Sequence, residues 1–241
     1  MAPPNKLPSG TWTIGVTGAT GDFGRMILEQ LLDQFNWPPN QLVAICRDSN
    51  RELAMKWKAR GLLVREADFD DDMSPAVKAA HPNRMRLVDA YSGVDRLMII
   101  SVSSFSNWYH LHANAINAAV DAGVQHIVYT STPTLSTKNP PLTPLPPEDP
   151  QVEQLLRNCG RNYTILGNNV WYDDIIDNIY RQFIQQGTIY TLDPESSAAH
   201  ISKRDCAFAA ATVLTRPNEQ SRKYEISGPE LITRTRVRKN V

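Results

Sequence analysis

No charge of one sign dominates this 241-residue chain: 25 Lys and Arg stand against 25 Asp and Glu. A balanced chain has no global field to gather nucleic acid or an anionic membrane surface, so neither is expected as a partner. Cysteine is scarce, and Cys46, Cys159 and Cys206 are an odd set without metal-ligand spacing. That argues against a disulfide framework, gives no reason to expect a metal, and suits a reducing compartment. No apolar run approaches the length of a membrane span, and the opening MAPPNKLPSG lacks the apolar core of a secretory signal. The expectation is a disordered leader over residues 1–10 of a cytoplasmic protein. The closing TRTRVRKNV carries four basic groups, which reads as a solvated tail.

What is present begins with residues 11–24, TWTIGVTGATGDFG. Thr11 to Val16 is a short β-rich apolar run, the pattern of a buried first strand. Glycines follow at positions 18, 21 and 24, and Arg25 to Leu32, RMILEQLL, is a helix-forming run. Strand, glycine turn and helix in that order make an anion site. The glycines let the backbone turn tightly and approach a pyrophosphate, while the helix N-terminus offers N–H groups and the positive end of its dipole. Without a ligand the stretch is merely a tight turn, but its placement between strand and helix is the context that gives such a motif meaning.

Strand and helix patterns then alternate. Strands are expected at 41–46, 62–65, 96–102, 125–130 and 162–166, with short ones at 188–191 and 223–226. A helix over 49–60 would take Ser49 as its cap and Gly61 past its end. Ser74-Pro75 opens a segment that His81-Pro82-Asn83 breaks in two before Tyr91. Further helices are expected over 107–122, 149–159, 172–186 and 202–214. Ser131 to Pro150 holds seven of the 17 prolines, which excludes a helix or a central strand. A loop that long in a compact domain is functional or disordered. The alternation predicts an α/β fold: a doubly wound parallel sheet of Rossmann type, with ligands at the C-terminal ends of its strands. Residues 11–241 are expected to form this one domain, with a small C-terminal substrate-side subregion and substrate-side elements at about 132–150 and 168–241.

Thr17-Gly18-Ala19-Thr20-Gly21-Asp22-Phe23-Gly24 is T-G-x-x-G-x-x-G, which resembles the dinucleotide turn of the short-chain dehydrogenase/reductase superfamily. Asn114 to Ser131, NAINAAVDAGVQHIVYTS, is similar to the fourth-helix-to-fifth-strand block of the NmrA-like group of atypical short-chain reductases. Asp68-Phe69-Asp70-Asp71, Val94 to Ser101 and Ser202-Lys203-Arg204-Asp205 fit the same group, and the resemblance spans roughly residues 11–230. It implies an NAD(P) cofactor. The group includes quinone and enone reductases, isoflavone-reductase-like enzymes, enzymes of fungal secondary metabolism, and redox-sensing regulators without turnover. Two features depart from it. Members continue well past the segment matching Tyr224 to Gly228, whereas 13 residues follow here. Ordinary relatives use Tyr-x-x-x-Lys, and none of the eight tyrosines has a lysine four residues on. Where the group often carries H-x-x-x-E, the chain reads Asp149-Pro150-Gln151-Val152-Glu153.

The resemblance assigns Gly18, Thr20, Gly21, Asp22, Phe23 and Gly24 to the cofactor's pyrophosphate. Arg47 ends the second strand, where an acid would hold the ribose diol of NAD and an arginine suits the extra phosphate of NADP. Asp68 and Phe69 would meet the adenine, with a helix cap as the alternative for Asp68. Ser101, Val102, Ser103 and Ser131 would pass the ribose and nicotinamide. Phe105, Trp108 and Tyr109, with Asn169, Trp171 and Tyr172, are the substrate candidates; their rings suit a flat conjugated molecule, or else pack beneath the proline-rich loop. His110 and His112 open a helix; a solvent-facing or capping role is expected for each, with one of them facing the site as the alternative. Ser131 and Asp149 are the catalytic candidates, with Glu153 and Asn168 as further hydrogen-bonding groups. The expected activity is NADPH-dependent reduction, with NADPH preferred over NADH, of a quinone, enone or imine in secondary metabolism. An NADP-sensing regulator without turnover and a non-redox isomerase or cyclase are the alternatives. Cleft residues such as Trp108 and Trp171, left uncovered by a short C-terminal region, lead to the expectation of a homodimer.

Overall fold

The computed structural model of the protein describes residues 12–102, 107–133, 150–175 and 197–233. Strand β1 (Ile14–Val16) runs through the glycine turn into helix α1 (Asp22–Asp33). Then follow β2 (Leu42–Cys46), α2 (Glu52–Ala59), β3 (Leu63–Glu66), α3 (Pro75–Ala80), α4 (Leu87–Tyr91) and β4 (Arg96–Ile99). Beyond these lie α5 (Trp108–Asp121), β5 (His126–Ser131), α6 (Pro150–Asn158), β6 (Asn162–Asn168) and α7 (Tyr172–Ile175). The described chain ends with β7 (Ser197–Ala198), α8 (Lys203–Thr215), β8 (Arg222–Ile226) and β9 (Ile232–Thr233).

Seven strands form one parallel sheet in the order β3-β2-β1-β4-β5-β6-β8. The order grows outward from β1 to β3 and then reverses, so that β4 lies on the other side of β1. In an open α/β sheet such a reversal leaves a crevice at the carboxyl ends of the two central strands. The two short strands β7 and β9 pair antiparallel as a separate ribbon.

Side chains alternate along a strand, and here both faces are apolar. Ile14, Val16, Leu42, Ala44, Met98, Val128 and Leu166 pack with α1, α8 and Trp57 of α2. Val43, Ile45, Leu97, Ile99, Ile127, Tyr129 and Ile165 join α4, α5 and α6 in a second core. The sheet is therefore covered on both sides, as the alternation of strand and helix patterns implies.

Local chemistry explains where elements start and stop. Ser74 caps α3 by accepting from the Val77 N–H at 3.4 Å, with Pro75 at the first helical position, and the break at His81-Pro82-Asn83 separates α3 from α4. Ser49 does not cap α2: Arg51 occupies the cap position without a side-chain bond, and Ser49 is buried against Glu66 instead. The fourth strand ends at Ile99 rather than at Val102. There the Ile100 N–H turns to the Thr17 hydroxyl at 3.0 Å and the Ser101 N–H to the Thr130 hydroxyl at 2.7 Å, which takes both out of the ladder. The helix expected over 172–186 is described as far as Ile175; its remainder and the strand expected at 188–191 lie outside the described residues.

Candidate active site

Two positions of the glycine turn resist a side chain, one by backbone conformation and one by contact. Gly18 holds φ +62°, a conformation that L side chains rarely adopt. A Cβ on Gly24 would lie on the Gly18 carbonyl, 2.8 Å from its carbon and 3.1 Å from Ala19 Cα. Three backbone bonds hold the loop: Gly21 N–H to Gly18 O at 2.9 Å, Arg25 N–H to Gly21 O at 2.9 Å and Ala19 N–H to Ile45 O at 3.1 Å. Trp57 adds a buried bond from its indole N–H to the Ala19 carbonyl at 3.0 Å. Gly21 is the cap residue of α1, and among the described residues no side chain caps that helix. Gly18, Gly21 and Asp22 are exposed, so the turn presents backbone to the crevice. A cradle of this kind, with the first-turn N–H groups free of a side-chain cap, fits a dinucleotide pyrophosphate.

Arg47 leaves the end of β2 into solvent and has no hydrogen bond or ion pair to a described residue. Asp68 lies 3.5 Å from the buried guanidinium of Arg84, which also pairs with Asp70, and it caps no described helix: Ser74 holds the cap position of α3. Phe69 is buried edge-on to His112, ring centroids 6.4 Å apart, and its carbonyl accepts from Asn114 at 3.0 Å.

Ser101 and Val102 leave β4 exposed at the mouth of the crevice. What fixes them was not foreseen. Thr130 Oγ1 accepts the Ser101 N–H and donates to the Ser101 hydroxyl at 3.0 Å. The Val102 N–H donates to Nε2 of His112 at 3.0 Å, which requires the ring proton on Nδ1, facing the Tyr129 hydroxyl at 3.3 Å. His112 is buried, not solvent-facing. A signal existed: His112, Ala115, Ile116 and Ala119 repeat at helical spacing and all face the second core.

Ser131, at the end of β5, donates its hydroxyl to Glu153 Oε1 at 2.8 Å. The same oxygen accepts from Lys223 of β8 at 3.0 Å, and Arg157 donates to Oε2 at 2.9 Å. Burial pushes the Glu153 carboxyl up, but hydrogen bonds from Lys223 and Ser131, with the Lys223 charge, hold it below the ordinary range. Glu153 is thus an ionised acceptor, and Ser131 has its proton engaged and a lone pair to present. Beside it, at the ends of β5 and β6, the buried Thr132 Oγ1 and Asn168 Oδ1 have no hydrogen-bond partner among the described residues. Unpartnered polar atoms at a crevice rim fit the polar groups of a bound ligand. Asp149, Ser103 and Phe105 lie outside the described residues.

The aromatic candidates divide between the two cores. Trp171 stacks on Phe23 of the turn, centroids 5.1 Å apart, and packs on the α1 side. Lys203 lies over the same indole at 5.2 Å and pairs with Asp174. Trp108 meets Tyr109 edge-on at 6.0 Å and packs on the α5 side. Tyr109 and Tyr172 are exposed. Asn169 is turned inward on the backbone, donating its N–H to Ile226 O at 2.9 Å, and its side chain accepts the Val170 N–H at 2.8 Å.

The model of the NmrA-like family matches residues 10–237. Quinone oxidoreductase 2 of Escherichia coli (strain K12) is 32% identical over 224 residues, 93% of this chain and 71% of that protein. The crystal structure of the NADPH-dependent quinone oxidoreductase of Escherichia coli complexed with NADPH superimposes with a TM-score of 0.78 at 31% identity, covering 93% of this chain and 72% of that one. The triphenylmethane reductase of Citrobacter sp. complexed with NADP(H) gives a TM-score of 0.75 at 30% identity, covering 92% of this chain and 72% of the other. With the seven-stranded Rossmann sheet and the intact glycine turn, these matches place the chain in the NmrA-like family.

Proposed function

We propose that this protein is an NADPH-dependent oxidoreductase that reduces a flat, conjugated small molecule of the quinone, enone or imine class. The observation that carries the proposal is the uncapped glycine turn with Arg47 at the end of the neighbouring strand. The turn takes a pyrophosphate, and Arg47 lies where the adenosine 2′ position is read. The similarity to enzymes whose names record quinone and dye reduction supports the substrate class.

Bound in the crevice, the dinucleotide would supply the hydride. The chain's own contribution is positional. Gly18 to Gly24 would hold the pyrophosphate. The Ser101–Val102 segment, fixed by Thr130 and His112, would pass the ribose and nicotinamide. Trp171 on Phe23 and the Trp108–Tyr109 pair would supply apolar walls. Ser131, with its hydroxyl hydrogen directed at Glu153, would accept a hydrogen bond from ligand or cofactor rather than donate one to a carbonyl. Tyr-x-x-x-Lys is absent from the chain, so water is the proposed source of the proton that completes reduction. A cytoplasmic location, a role in secondary metabolism and a homodimer belong to the same proposal. Three free cysteines suit the first, and among the described residues no helix is long and apolar enough to cross a membrane.

Purified protein mixed with NADPH and a panel of quinones and enones is expected to oxidise NADPH, followed by its absorbance. Arg47→Ala is expected to weaken NADPH by about ten- to a hundred-fold, the worth of one hydrogen bond to a charged group, with NADH almost unchanged. Binding without oxidation across the panel would favour a cofactor-sensing regulator or a non-redox enzyme.

A further inference from the structure

We propose that Glu66 is a positioning residue for cofactor choice: it clamps the turn that presents Arg47, and so sets the preference for NADPH over NADH. The inference rests on reading Arg47 as the group that meets the 2′-phosphate.

Glu66 ends β3 and is 2% exposed. A carboxylate so buried is costly unless it is hydrogen-bonded. Its Oε2 accepts both the N–H and the hydroxyl of Ser49, at 2.9 and 2.8 Å, and its Oε1 lies 3.2 Å from Nδ1 of His81. The parallel register sets Glu66 opposite Cys46, the last residue of β2, and the Ala67 N–H closes on the Cys46 carbonyl at 3.0 Å. Arg47 follows directly. The chain is therefore fixed by the sheet on one side of Arg47 and by the Glu66 carboxylate two residues beyond it. Two weaker ties reinforce the hold. Lys58 Nζ donates to the Ser49 carbonyl at 3.4 Å, and Asp48 Oδ1 accepts the Asn50 N–H at 2.9 Å.

Three of these features together distinguish a clamp from an ordinary buried carboxylate. The bonded segment, Ser49, starts no helix, since α2 begins at Glu52 with Arg51 at its cap. Its buried hydroxyl is spent on a carboxylate 17 residues away. And the residue held between the two anchors is an exposed cation with no described partner. Anchoring its backbone in advance lowers the ordering cost when a phosphate is met.

A direct charge effect has the opposite sign. If Glu66 acted on the phosphate through its negative charge, removing that charge would tighten NADPH. The clamp predicts weakening when the acceptor is lost and little change when only the charge is lost.

The test measures Kd for NADPH and NADH, by protein fluorescence, in the unmodified protein and in Arg47→Ala, Ser49→Ala, Glu66→Leu and Glu66→Gln. Ser49→Ala removes one bond and keeps the buried carboxylate on the backbone N–H, so the question survives if Glu66→Leu fails to fold. It is expected to weaken NADPH about three- to tenfold, the range of one net hydrogen bond, with NADH within about twofold of its starting value, below that range. Glu66→Leu is expected to lose more, and Glu66→Gln, which keeps an acceptor, to retain the preference. Equal losses for both cofactors, or tighter NADPH in Glu66→Gln, would overturn the clamp. A preference unchanged in Arg47→Ala overturns the phosphate reading beneath it. A preference lost in Arg47→Ala but untouched in Ser49→Ala and Glu66→Leu overturns the clamp alone.

Discussion

Alanine at position 24 is expected to abolish dinucleotide binding and to destabilise the fold, while alanine at position 21 leaves the fold standing. The new Cβ at 24 would clash with the Gly18 carbonyl oxygen, and its other neighbours, Gly18 C at 2.8 Å and Ala19 Cα at 3.1 Å, are also backbone. Backbone cannot swing aside as a side-chain end can, so either α1 must back away from β1 or the turn must open. Overpacking of this kind costs roughly 1–3 kcal/mol. The movement falls on the loop whose N–H groups are to meet the pyrophosphate, and those bonds are charge-assisted and sensitive to geometry. Loss of two such bonds, at about 1.5–3 kcal/mol each, is a fall of at least a hundred-fold in affinity. At Gly21 the nearest atom to an added Cβ is the Gly18 carbonyl oxygen at 3.3 Å, which a shift of a few tenths of an ångström relieves. Gly21→Ala therefore tests close approach by the ligand with little folding cost. Thermal melts and NADPH titration of both variants measure the two effects separately. Gly24→Ala that binds NADPH normally would show that the turn is not the pyrophosphate site.

The parts of this site that were legible in the sequence are those whose cause is local. Gly18, Gly21 and Gly24 sit within one turn, and Ser74-Pro75 carries its own cap and its own fixed φ. The apolar strands read correctly because burial on both faces leaves continuous runs. The rest depends on which strand lies beside which. Ser49 has the composition of a helix cap, and its neighbours in sequence give no hint of Glu66, which only the β2–β3 register brings opposite. Lys223 reaches Glu153 across 70 residues because β8 adds to the sheet beside β6. No spacing rule links a lysine on one strand to a serine on another. The two-residue strands β7 and β9 were missed for the same reason: so short a strand has no period of its own and exists through its partner. Ser131 shows what this does to a functional reading. Its position at the end of β5 was readable, but its role turns on where the hydroxyl proton points, and Glu153 and Lys223 decide that.

Stability is expected to fall by about 2–3 kcal/mol between pH 7 and pH 4.5 through one residue, His126, at the end of the sheet opposite the crevice. His126 opens β5 between Arg96 of β4 and Asn162 of β6, and its Nε2 lies 2.8 Å from the Thr164 hydroxyl in a buried site. Burial disfavours the imidazolium, the Arg96 guanidinium disfavours it further, and Glu219 opposes them only in part, so the ring is pushed down to about 4 from 6.5. Arg96 cannot move away to relieve this. Its Nη1 donates to the carbonyls of Leu214 and Arg216 at 3.0 and 2.6 Å, and its guanidinium stacks 3.9 Å from the Trp12 ring. The sign follows from proton uptake. Below pH 6.5 the unfolded chain binds a proton at this histidine while the folded protein does not, so unfolding gains from every step toward acid until about pH 4. At 1.36 kcal/mol for each unit of pKa difference, the whole shift amounts to about 3 kcal/mol, most of it spent by pH 4.5. His126→Gln keeps a group able to bond Thr164 and removes the titration. Its stability at pH 7 is expected to be lower by about 1 kcal/mol, the worth of imperfect packing and one hydrogen bond, but its loss on acidification is expected to be smaller than that of the unmodified protein by about 2–3 kcal/mol. Urea unfolding at both pH values measures this. Equal acid losses in the two proteins would place the sensitivity elsewhere, in carboxylates such as Glu153 that are held ionised in the fold.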